Sequence, residues 1–82
     1  MFVIWNDASK DQLTDFYVSL SLDEQRTLAH HVVGINGQLQ ERGWELGESR
    51  GANRRLWFTE WLVVSFVFTA SGIEVAFVSP NR

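Results

Sequence analysis

Apolar and polar positions change period along the chain, and the changes mark its elements. Phe2-Val3-Ile4-Trp5 is an unbroken apolar run closed by Asn6-Asp7, which reads as a short strand entering a turn. Leu13, Phe16, Tyr17 and Leu20 then recur at three- and four-residue spacing, the period of one helical face. Ser9 stands where an N-cap is expected for that helix, with Gln12 at the capping-box position. Ser21-Leu22-Asp23-Glu24 opens a second helix with a stronger capping box, and its two acids sit where the helix dipole favours negative charge. Leu28, Val32, Ile35 and Leu39 form the apolar stripe of this helix, which is expected to run to about Glu41 with Gly43 in the C′ position. Gly34 and Gly37 interrupt it, each costing about 1 kcal/mol against alanine. Either the helix kinks there or the small residues admit a close neighbour; a continuous helix is the expectation.

The second half switches to strand patterns. Leu56-Trp57-Phe58-Thr59, Leu62 to Thr69 and Ile73 to Val78 are rich in β-branched and aromatic residues and are separated by very short gaps. Gaps of that length join antiparallel neighbours. Leu62 to Phe68 holds only Ser65 as a polar residue, which predicts a central strand covered on both faces. Gly43 to Asn53 reads as an exposed loop with Trp44 and Leu46 pinned to the core. The order β-α-α-β-β-β predicts an α+β two-layer sandwich. A helical hairpin lies on a mainly antiparallel sheet of about four strands, and residues 1–82 form one domain. Two helices suffice for one face of such a sheet. The other is closed by curvature and by Trp44, Trp57 and Trp61, or it binds a partner.

Composition sharpens this picture. Four Trp and six Phe in 82 residues supply a dense core for a chain short enough to be marginally stable. The absence of Cys excludes disulfide and thiolate chemistry and suits a cytoplasmic setting. No signal peptide and no apolar run of membrane-spanning length is visible, so no membrane partner is expected. Charge is uneven. Met1 to Glu48 carry eight acids against three basic residues, and Ser49 to Arg82 carry four arginines against two glutamates, so net values of −5 and +2 make up the total of −3. An acidic chain is a poor general nucleic-acid binder, although a local basic patch is compatible with it.

Candidate chemistry is sparse. Arg50, Arg54 and Arg55 are candidate phosphate or target contacts because a guanidinium presents a planar fork of donors; the alternative is a solvated loop paired with Glu45, Glu48 or Glu60. Trp44, Trp57 and Trp61 are either core or platforms for a base or peptide, and Trp61, in a tight turn beside Glu60, is expected to be exposed. His30 and His31 point about 100° apart on a helix and do not face one site, and no metal-ligand spacing or cofactor motif is present. Asp11 and Asp15 share a solvated helix face.

Four stretches together resemble the RelE/ParE toxin superfamily of bacterial toxin–antitoxin systems. They are Leu39-Gln40-Glu41-Arg42-Gly43-Trp44-Glu45-Leu46-Gly47, the Gly/Arg loop Glu48-Ser49-Arg50-Gly51-Ala52-Asn53, the strand opening Arg54-Arg55-Leu56-Trp57, and Leu62-Val63-Val64-Ser65-Phe66-Val67. The likeness is one of element order across nearly the whole chain. It implies a toxin that acts on mRNA in the ribosome, as a metal-independent endoribonuclease, or on DNA gyrase, and that is restrained by an antitoxin. Carried onto this sequence, it makes Arg50, Arg54, Arg55 and Arg82 candidate target contacts and puts Phe66 in the place of the central-strand aromatic; Trp57, Trp61 and Phe66 are the candidate partner-binding residues. The chain departs from the family in its net acidity, its uncharged central strand and its ending at Ser79-Pro80-Asn81-Arg82. Independently of the resemblance, an apolar sheet with an open edge is suited to a non-catalytic module that binds an extended partner segment.

Overall fold

The first helix begins earlier than Ser9. In a computed structural model that describes residues 1–81, α1 spans Asp7–Val18 and its cap is Asn6, whose Oδ1 accepts from the Ser9 amide at 2.8 Å. Ser9 is the third helical residue and donates its hydroxyl to the Asn6 carbonyl at 2.9 Å. Both residues are good caps. Asn6 takes the position because the strand before it, β1 (Phe2–Trp5), ends one residue earlier and leaves it in extended geometry. The second helix, α2, spans Leu22–Arg42 with the expected box: Ser21 accepts from the Glu24 amide, and the Glu24 carboxylate accepts from the Ser21 amide at 3.0 Å.

α2 runs unbroken through Gly34 and Gly37, and a Cβ placed at either would meet nothing within 4 Å. These glycines serve neither a kink nor a close approach. Gly34→Ala and Gly37→Ala should each raise stability by about 0.5–1 kcal/mol, and together raise Tm by several degrees. Thermal denaturation of the double variant checks this, and an unchanged or lower Tm refutes it. Gly43 differs. It is not left-handed but opens a 3₁₀ turn, Gly43–Glu45, and its missing side chain makes room for Ile73 Cδ1.

The remaining strands are β2 (Glu48–Ser49), β3 (Arg54–Phe58), β4 (Leu62–Thr69) and β5 (Gly72–Pro80). They form a five-stranded sheet in the order β1-β5-β4-β3-β2, one strand more than expected because β2 lies inside the predicted loop. β1 pairs with β5 in parallel; the other neighbours are antiparallel. Both helices pack on one face. Phe16, Leu28, Ile35, Leu39 and Leu46 meet Leu62, Val64, Phe66, Ile73, Val75 and Val78 there. The expectation that β4 is covered on both faces is therefore corrected: no further element exists among the described residues to cover the second.

β1 covers only the first half of β5. Beyond it, Gln12 stands in for the missing strand, its Oε1 accepting from the Val78 amide at 2.8 Å. Gln12 thus ties α1 to the sheet rather than closing a capping box. Val78 is buried, so Gln12→Ala strands an amide and should cost about 1–3 kcal/mol. Equilibrium urea unfolding checks this: Gln12→Glu, which keeps an acceptor, should recover most of the loss, and equal losses would refute the role.

Candidate functional site

Strand alternation and register together place the side chains of the open face, which on β2 include Glu48, paired with Leu56. On β4, Leu62, Val64 and Phe66 turn to the helices, so Val63, Ser65 and Val67 turn away. Pairing carries that assignment outward. Leu56 faces Ser65, Phe58 faces Val63 and Arg54 faces Val67 on one side; Phe77 faces Ser65 and Glu74 faces Val67 on the other. In parallel register, Ile4 lies beside Glu74 and Phe2 beside Gly72. A bulge at Ala76 shifts the parity of β5, which sends Phe77 outward and Val78 into the core. The result is a mostly apolar face in which Phe2, Ile4, Phe58 and Phe77 are 64%, 48%, 55% and 47% exposed. None of these residues packs against the core.

The arginines do not converge. Arg50 pairs with Glu48 at 3.0 Å. Arg54 turns to the open face, whereas its neighbour Arg55 turns to the helical side, lies over the Phe68 ring at 5.7 Å and donates to the Leu46 carbonyl at 3.4 Å. Arg82 lies outside the described residues.

The aromatic candidates also sit on the covered face. Phe66 has no exposure at all and makes an edge-to-face contact with Phe68, so it is core and touches no partner in the folded protein. Trp57 and Trp61 are half-buried against the core, Trp61 beside Phe16 with ring centres 6.5 Å apart. Trp61 is thus less exposed than its turn position suggested. Trp44 is 54% exposed and is not pinned to the core, whereas Leu46 is.

Trp57 and Trp61 line a cleft of about 360 Å³ between α2 and the β3–β4 turn, together with His31 and Thr59. His31 Nε2 and Thr59 Oγ1 are 2.9 Å apart, and the same hydroxyl accepts from the Leu62 amide at 3.1 Å. This histidine holds the helix to the turn, and His30 is exposed beside it. Among the described residues, no three His, Asp or Glu side chains are grouped to hold a metal ion. No helix among them is long and apolar enough to cross a membrane.

No protein-family model matches the chain, and no curated protein matches it. The likeness to the RelE/ParE superfamily rests on the element order and on the stretches quoted for it. The open-face residues Phe2, Ile4, Phe58 and Phe77 escape a residue-by-residue reading because each directly follows another apolar residue. Their signal is positional: Phe2, Ile4 and Phe58 fall out of phase with the helix-facing residues of their strands, and Phe77 is carried outward by the bulge at Ala76.

Proposed function

We propose that the chain is a non-catalytic protein-interaction module that docks a partner on the open face of its sheet. The observation that carries this is the gathering of Phe2, Ile4, Phe58 and Phe77, each about half exposed or more, on the one face that no helix covers. Exposed apolar patches of this kind on small proteins mark docking surfaces. Five strands at about 4.8 Å spacing make the face roughly 19 Å across, several times the width of one extended segment. The partner therefore presents a broad apolar surface rather than a single strand.

A photo-crosslinking amino acid at Phe77 tests this in cells, with the same probe at Val33, an exposed position on α2, as the control. The expected result is a discrete adduct from Phe77 and none from Val33. No adduct from Phe77 overturns the reading.

A toxin component acting through a basic loop has the element order in its favour and the arginine placement against it, because Arg54 and Arg55 face opposite sides of the sheet. Growth arrest on induced expression, lost in the Arg50→Ala/Arg54→Ala/Arg55→Ala variant at matched soluble protein, would restore that reading.

A further inference from the structure

Building on the reading of the open face as a docking surface, we infer that its occupant is a second copy of this chain, packed sheet to sheet about a twofold axis running along β4. The pattern of charge on the face carries this. Arg54 on β3, Val67 on β4 and Glu74 on β5 lie in one row across the sheet, positive, apolar and negative in turn. The next row is Glu48, Leu56, Ser65, Phe77, with Glu48 already paired to Arg50 at the sheet edge, and the one after it is Phe58, Val63, Ser79.

A face-to-face dimer needs an axis in the plane between the sheets. An axis along β4 exchanges β3 with β5 and keeps each row in place. It sets Arg54 of each copy over Glu74 of the other, twice by symmetry, with Leu56 over Phe77. An axis across the strands reverses the rows instead and lays Arg54 over Phe58, burying a charge without a partner, which is strongly unfavourable. The charges therefore select one arrangement, the one with the axis along β4.

Two further features fit. Among the described residues Arg54 has no ion-pair partner within its own chain. Glu74 accepts from Asn6 Nδ2 at 3.3 Å through Oε2, and a carboxylate has capacity for further donors. The footprint is that of a weak, concentration-dependent interface. Strands of 4, 2, 5, 8 and 9 residues, at about 3.3 Å per residue and about 4.8 Å spacing, offer on the order of 450 Å² per copy, or about 900 Å² in all.

Sedimentation equilibrium of the purified chain over a concentration series tests the inference. Wild type should approach twice the 9.4 kDa chain mass as concentration rises. Arg54→Glu and Glu74→Arg should each weaken the dimer by roughly tenfold or more, and the double variant should restore it. Circular dichroism verifies folding. Arg54→Glu suffices by itself should Glu74→Arg, which loses the Asn6 bond, fail to fold. A monomer at all concentrations, a dimer indifferent to Arg54→Glu, or a double variant no tighter than the singles overturns the inference. The two readings separate cleanly: a monomeric chain whose Phe77 probe yields an adduct with another protein sinks the self-pairing and leaves the docking face standing, whereas absence of any Phe77 adduct sinks the docking face itself.

Discussion

Phe66→Ala is expected to remove about 3–5 kcal/mol of stability. Phe66 is fully buried on the central strand, with the phenyl ring of Phe68 edge-on at 5.8 Å and apolar side chains of the same core around it. Truncation loses the transfer energy of the ring and leaves a cavity that a rigid sheet fills poorly. A domain of 82 residues has roughly 4–12 kcal/mol to lose, so the variant sits near the edge of folding. Urea unfolding should show a much lower midpoint with an unchanged slope. Phe77→Ala is the informative companion. Phe77 lies on the neighbouring strand but faces outward, and its truncation should cost under about 1 kcal/mol at protein concentrations too low for self-association. Equal losses from the two would mean that Phe77 packs into an interior and that the face is not open.

The contrast between those two phenylalanines shows where the sequence was legible. Helix positions, the Ser21–Glu24 box and the existence of four of the five strands follow from period and capping, which are local properties. Apart from the local shifts at Asn6 and Gly43, what failed was decided by contacts distant along the chain. β2 has two polar residues, Glu48 and Ser49, and is a strand only because Leu56 and Arg55 pair with it. The parallel pairing of β1 with β5 joins residues about 70 positions apart, and nothing in Phe2–Trp5 announces its direction. Alternation read straight through Ile73 to Val78 puts Phe77 inside, and the bulge at Ala76 puts Val78 there instead.

The candidate site divides in the same way. That no helix is left for one sheet face follows from counting helices; that curvature and the tryptophans do not close it needed the structure. Which residues form the face needs the register, and the register also separates Arg54 from Arg55. Adjacent in sequence, they read as one basic patch; on a strand they are necessarily on opposite faces. The separation of Arg54 from Arg55 thus comes from a single geometric fact, the period of two in β3.

Gly72→Ala is the second large effect, and it should act on one edge of the sheet rather than on the whole core. Gly72 follows the two-residue turn between β4 and β5 and has φ of 147°, a region that side chains of L-residues rarely adopt. A Cβ there would fall on the carbonyl oxygen of Phe2 and within 3.0 Å of its carbonyl carbon, and backbone atoms cannot swing aside as a flexible side chain can. Alanine must therefore flatten the turn or displace β1, whose pairing begins at Phe2 and Gly72. Backbone strain alone accounts for about 1–3 kcal/mol. Displacing β1 adds the packing of Val3 and Trp5 against the core and the 3.0 Å bond from Trp5 Nε1 to Asn36. Gly51→Ala provides the comparison. Gly51 also has a positive φ, 89°, but nothing lies within 4 Å of its Cβ position, so only the conformational penalty applies. Amide hydrogen exchange should locate the damage: protection is lost from Val3 to Trp5 in Gly72→Ala and persists across β3 and β4, while Gly51→Ala leaves β1 protected. Equal stability losses in the two variants, with β1 protected in both, would show that the collision with Phe2 does not govern this edge.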